Sequence, residues 1–182
     1  MSDSVQRYLA SLPPIRTHLL AGALLFVQAT SGLPGEQRIA LLGSITTEKA
    51  TPKDIDLLVT VGDDADLSQL AALGRKLMGH AQSRNSGADV FLADPRGAYL
   101  GRICHWKVCQ PGVRMRCYAL HCGHRPYLYD DLKTLTLKRQ LIAAPPIVLW
   151  PQVSAAVASP ADVEAILLAP LRVAQARSAG AH

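Results

Sequence analysis

No apolar run in this chain is long enough to cross a bilayer. The longest, residues 19–29, is interrupted by Gly22 and Gln28, whereas a spanning helix needs about 20 apolar residues. No secretory leader is expected either. Residues 1–7 are mostly polar and a Pro13-Pro14 pair follows, where a leader would carry an apolar core. The expectation is a cytoplasmic protein without a membrane partner. No cysteine lies outside residues 104–122, where all four fall. That placement sets aside a disulfide framework spread over the fold and, in a reducing compartment, points to metal before disulfide. No internal repeat is visible, which sets aside solenoids and propellers. Acidic residues are outnumbered, 14 against 19 basic, for a formal net charge of +5. Such a balance favours anionic partners such as nucleotide, RNA or DNA, with an incidentally basic surface as the alternative.

What is present is a core. Of 182 residues, 49% are hydrophobic, which suits one compact domain with an appendage. Residues 15–30 read as a helix, with Leu19, Leu20, Ala23, Leu24 and Val27 on one side. Residues 38–42 form a short apolar run that ends at Gly43, the pattern of a buried strand. Residues 54–61 alternate acid and apolar before turning wholly apolar, a second strand with carboxylates on one face. Residues 64–83 carry Leu67, Leu70, Leu73 and Leu77 at helical spacing behind Asp63, Asp64 and Asp66, where a helix dipole favours acid. Residues 88–93, ADVFLA, make a third strand. A strand is expected to return at 134–137, and a terminal helix at 161–176, interrupted by Pro170. The chain divides into an α/β (α+β) core over 1–100, a Cys- and His-rich module over 101–150, and a C-terminal tail over 151–182.

Side chains two apart on a strand project from one face, so Asp54 and Asp56 point the same way while Ile55 and Leu57 enter the core. Two carboxylates that close repel each other, and a divalent cation resolves the conflict. Magnesium takes oxygen ligands and is commonly shared between one or two carboxylates and substrate phosphates. Asp89, early in the third strand, would complete the set if that strand lies beside the second. Gly43 and Ser44 supply a second element. Glycine at a strand end lets backbone approach a phosphate, and a serine hydroxyl with adjacent N–H groups can grip its oxygens. The alternative is an edge strand with solvent-facing aspartates.

In order, these are an apolar strand, Gly43-Ser44, nine intervening residues, Asp54-Ile55-Asp56-Leu57, and later ADVFLA. Over residues 15–94 the arrangement resembles the polymerase β-like nucleotidyltransferase superfamily. The resemblance implies a small mixed sheet flanked by helices. It also implies that Gly43 and Ser44 hold the triphosphate of an NTP, while Asp54, Asp56 and Asp89 hold two magnesium ions. The intervening segment departs from the family by lacking an Arg-Gly run, and offers Thr46, Thr47, Lys49 and Lys53 instead. Of these, Thr46, Thr47 and Lys53 are the further candidates for nucleotide contact. The implied chemistry is transfer of a nucleoside monophosphate to a hydroxyl, with Asp89 a candidate to accept the hydroxyl proton.

Residues 104–124 read CHWKVCQPGVRMRCYALHCGH, with four residues between Cys104 and Cys109 and again between Cys117 and Cys122. Zinc takes soft ligands in a tetrahedron, so these four are the expected structural zinc ligands of a zinc-knuckle-like module, with His121 the first substitute and His105 and His124 further ones. Buried thiols are the alternative. Arg96, Arg102, Lys107, Arg114, Arg116 and Arg125 interleave with Tyr99, Trp106, Tyr118, Tyr127 and Tyr129, as a single-strand-binding surface requires. The rings serve equally as core of the module. Together these features predict a nucleotidyltransferase acting on RNA (a tRNA 3′ end) or on a protein, as in toxin-antitoxin pairs. The alternative is a non-catalytic nucleic-acid- or protein-binding module of the same fold with a structural zinc.

Overall fold

Alternation in the strands sorts apolar from polar side chains onto two faces of one sheet, and the helices follow the apolar face. The computed structural model describes residues 14–107, 109, 125–129 and 135–180. Helix α1 is Pro14–Thr30, and strand β1, Glu36–Leu42, follows a turn. A single 3-10 turn, Ser44–Thr46, leads to β2, Asp54–Val61. Helix α2, Leu67–Gln82, then crosses to β3, Gly87–Ala93, and β4 is Tyr99–Ile103. Further on come β5, Leu128–Tyr129, helix α3, Arg139–Ala143, and strands β6, Ile147–Trp150, and β7, Ser154–Ala155. Helix α4 begins as an α turn at Ala161–Val163, passes through a π segment at Glu164–Leu168 and ends as α-helix Ala169–Ala179.

The seven strands form one mixed sheet in the order β5-β4-β3-β2-β1-β6-β7. Among the described pairs β2–β3 alone is parallel, and helix α2 supplies the crossover that a parallel pair needs. Ile39, Leu41, Ile55, Leu57, Val59, Val90 and Leu92 project to the first face, where α1, α2 and α4 bury Leu19, Leu20, Leu70, Leu77, Leu167 and Leu168 against them. On the second face a smaller cluster of Ala40, Leu42, Leu58, Phe91, Ala93 and Tyr99 is met by Ile142 of α3. The fold is therefore mixed α and β, with a mixed sheet flanked by helices as expected.

Helix α2 begins three residues later than expected, because Asp66 caps it by accepting the Ser68 amide at 2.9 Å. Helices α1 and α2 meet through His18 and His80, whose rings stack with centroids 3.9 Å apart. Each ring nitrogen Nε2 also contacts the other residue's carbonyl, at 2.7 and 2.9 Å.

The strand expected at 134–137 is a correction. Residues 135–138 carry no regular structure and lead into α3, while residue 134 lies outside the described residues. The Thr-Leu alternation there suggested a half-buried strand, but Leu137 packs with Leu141 and Ile142 against the second face instead. Pro170 does not interrupt the last helix. Proline lacks an amide to donate and needs room behind its ring, and the π segment directly before it widens the turn. Residues 151–182, expected as a tail, supply Val163, Leu167, Leu168 and Leu171 to the main core. Likewise β5 and β6, from the expected Cys-rich stretch, extend the same sheet as β1–β3. No helix among the described residues is long and apolar enough to cross a membrane.

Candidate functional site

Strand β2 places Asp54, Asp56, Leu58 and Thr60 on the second face, opposite Ile55, Leu57 and Val59 in the core. In the parallel pair with β3, Asp56 stands level with Asp89 and Asp54 with Gly87. Parallel neighbours in register point the same way, so all three aspartates share one end of one face. A Cβ at Gly87 would meet the Asp54 Cβ at 3.4 Å, an ordinary contact. The three are half-buried. Burial raises Asp56 from 3.8 to about 7, and the like charges of Asp54 and Asp89 add to it against the opposing pull of Arg102. The ionised form of Asp56 is thus disfavoured where it stands, and a nearby cation would favour it.

The turn after β1 closes over this carboxylate. Gly43 has φ 75° and ψ −168°, a conformation essentially confined to glycine. A Cβ at this position would overlap Asp56 Oδ2. Gly43 is exposed and Ser44 half-buried at the start of the 3-10 turn. Thr46 is buried in this turn and Thr47 exposed on it. The Thr46 hydroxyl donates to the Gly43 carbonyl and the Thr47 hydroxyl to the Ser44 carbonyl, both at 2.8 Å. Their hydroxyls shape the turn. Lys53 is exposed, and its carbonyl accepts the Gly87 amide at 2.9 Å, joining the loop to β3.

Beneath the loop lies a residue that periodicity did not single out. Arg16, the one charged side chain of α1 apart from histidine, is only 3% exposed. Its Nη1 donates to the carbonyls of Thr47 at 2.9 Å and Lys49 at 2.7 Å, and its Nη2 to that of Ile45 at 3.1 Å. Asp162 of α4, also 3% exposed, accepts from the same guanidinium through both oxygens. One buried ion pair therefore fixes residues 45–49 from below. The available signal was a lone arginine inside an apolar helix, but its partner is 146 residues away.

On the other side of Asp89 stands Arg102 of β4, whose Nη1 donates to Asp89 Oδ1 at 3.0 Å. The Arg102 guanidinium also lies over the Tyr129 ring, 5.5 Å from its centroid. Beyond this pair a recess of about 420 Å³ opens, with Asp89, Arg102, His105, Trp106 and Tyr129 among its lining residues. Trp106 is 43% exposed. His105 Nδ1 is buried without a hydrogen-bond partner among the described residues. Burial pushes this imidazole below its ordinary value, with Asp89 acting in the opposite sense.

The three aspartates offer an all-oxygen donor set of the kind magnesium takes, and the raised Asp56 marks a charge that a cation would offset. Asp89, however, is turned to Arg102. Among the described residues no three His, Cys, Asp or Glu side chains converge tightly enough to enclose a metal ion. Of the expected zinc ligands, Cys104 is buried and Cys109 half-buried. Both reach Tyr127. The Cys104 amide donates to its carbonyl at 2.7 Å, and its amide donates to Cys109 Sγ at 3.5 Å. Cys117, Cys122, His121 and His124 lie outside the described residues, as do Arg114, Arg116 and Tyr118. Within the basic and aromatic set, Tyr99 belongs to the core cluster of the second face. Arg125 donates to the Gly62 carbonyl at 2.6 Å, and Arg96 is paired with Asp94 at 3.1 Å.

Residues 1–108 match a family of unknown function (DUF6932), and the chain belongs to that family. No curated protein and no solved structure matches it.

Proposed function

We propose that this chain is a magnesium-dependent nucleotidyltransferase of the polymerase β type, moving a nucleoside monophosphate from an NTP to a hydroxyl of RNA or of a protein. The observation that carries this reading is the register of Asp56 with Asp89, which sets three carboxylates on one face beside the Gly43-Ser44 turn. Gly43 and Ser44 would bind the triphosphate, because only a residue without a Cβ lets the turn lie this close to Asp56. Asp54, Asp56 and Asp89 would hold magnesium, with Asp89 turning from Arg102 to do so. Bound magnesium lowers the pKa of the attacking hydroxyl and offsets charge on the α-phosphate and pyrophosphate. Asp89 would accept the hydroxyl proton, and Arg16 with Asp162 would keep the loop rigid. The acceptor oxygen bonds to the α-phosphorus as the bond to pyrophosphate breaks. Positioning and electrostatics suffice for such chemistry.

The test is incubation with each labelled NTP, magnesium and total cellular RNA or lysate. The wild type is expected to label one macromolecule, and Asp54→Asn and Asp56→Asn to leave it unlabelled. Equal labelling by the variants would remove the site from the reaction. The same reading includes a structural zinc on Cys104, Cys109, Cys117 and Cys122 or His121. Metal analysis of the purified protein is expected to give stoichiometric zinc.

A second reading rests on the Asp89–Arg102 pair, which neutralises the third carboxylate. In it the chain is a non-catalytic module that binds nucleic acid or protein. Magnesium-dependent thermal stabilisation by one NTP favours the enzyme; salt-sensitive RNA binding without NTP binding favours the module.

A further inference from the structure

We infer that the recess beyond Asp89 is the acceptor subsite, and that its occupant is the terminal nucleotide of single-stranded RNA, with the base against Trp106. This rests on the nucleotidyl-transfer reading and specifies its second substrate. The sheet order supplies the first argument. Gly43 follows β1, the aspartates occupy β2 and β3, and Arg102 and Tyr129 lie on β4 and β5. A triphosphate held at the Gly43 turn therefore leaves the opposite side of Asp89 as the approach for an attacking hydroxyl. The recess is on that side.

Its chemistry is the second argument. About 420 Å³ falls within the range that holds small-molecule-sized groups. Trp106, a partly exposed aromatic residue, lines it, and Arg102 over Tyr129 adds a cation stacked on a second ring. Bases stack on such surfaces whatever their identity. His105, with a buried and unpartnered Nδ1, suits the polar edge of a base, and a purely apolar ligand would leave it unmet. Polyphosphate fits poorly, because Arg102 is shared with Asp89 and that carboxylate faces the same space. A single protein side chain would bring one small group to a recess of this volume lined by Trp106 and Tyr129. The ribose hydroxyl of the terminal nucleotide would lie beside Asp89. Its oxygen attacks the α-phosphorus, its proton passes to Asp89, and pyrophosphate departs with the electron pair of the broken bond.

The experiment uses the full chain and a fluorescently labelled single-stranded oligoribonucleotide with a free 3′ hydroxyl. Anisotropy is read for wild type, Trp106→Ala and Trp106→Phe, and magnesium–NTP stabilisation is measured in parallel. Trp106→Ala is expected to weaken RNA binding by roughly tenfold or more, Trp106→Phe to restore much of it, and NTP stabilisation to stay unchanged in both. Equal RNA affinity in wild type and Trp106→Ala would overturn the inference. Transfer of label to a protein by a chain that does not bind the oligonucleotide would overturn it as well. Trp106-dependent RNA binding with no magnesium–NTP stabilisation of the wild type would overturn the transfer reading, and the acceptor role with it, while keeping the recess as an RNA site.

Discussion

Two single residues at opposite ends of β1 carry separable consequences. At one end, Gly43 combines a backbone conformation closed to other residues with direct apposition to Asp56. Gly43→Ala therefore faces both a strained backbone and an overlap with the carboxylate. The strain alone costs about 1–3 kcal/mol, and the overlap displaces the group meant to meet the cation. A lower melting temperature is expected together with complete loss of magnesium–NTP stabilisation. A variant that melts lower yet still responds fully to magnesium–NTP would place the phosphate grip elsewhere. At the other end, both carboxylate oxygens of Glu36 are buried without a hydrogen-bond partner among the described residues. Burial alone raises this group from 4.5 to about 8. The folded state then binds a proton that the unfolded state releases between those values, so Glu36 makes stability fall as pH rises from about 4.5 to about 8. In Glu36→Gln that component should vanish. Urea midpoints on either side of this window test it: an equally steep decline in the variant would assign the slope to another group.

At the scale of elements, the loop between β1 and β2 is held from below by helices from the two ends of the fold. Arg16 of α1 donates to three loop carbonyls and is itself neutralised by Asp162 of α4. Removing one partner leaves a buried charge alone, at a cost of about 3–5 kcal/mol. Asp162→Asn should thus destabilise the protein by that order. Arg16→Met with Asp162→Leu should recover much of the stability, because the stranded charge is gone. The double variant would still lack the donors to Ile45, Thr47 and Lys49, so its response to magnesium–NTP should stay weak. Full recovery of that response would show that the ion pair serves stability alone. This device also marks the limit of reading the sequence. Local alternation was enough to delimit β2 and to put Asp54 and Asp56 on one face, since strand period needs only neighbours. The level placement of Asp89 depended on strand order, and Arg16–Asp162 on a contact across 146 positions, neither of which period reports. The Thr-Leu alternation before α3 misled for the same reason: Leu137 found its partners on a helix rather than on a strand.

For the whole molecule, the stretch that matches the family ends at residue 108, but the fold does not. Strand β1, which leads into the Gly43 turn, has β2 on one side and β6 on the other. A chain ending at 108 would expose the β6 side of β1, a row of unpaired backbone donors and acceptors beside a nearly continuous apolar strand. It would also lack Val163, Leu167, Leu168 and Leu171, which close the main core over α1. Arg16 would be left in an apolar helix without Asp162. Together these losses compete with the total stability of a domain, about 5–15 kcal/mol. A fragment spanning residues 1–108 should therefore show no cooperative thermal transition and no response to magnesium–NTP. Adding residues 135–180 as a separate peptide should restore both in part if the deficit is the missing β6 and α4. A cooperative melt of the fragment alone would show instead that the first 108 residues close their own core, and that the later strands and helix α4 only extend it.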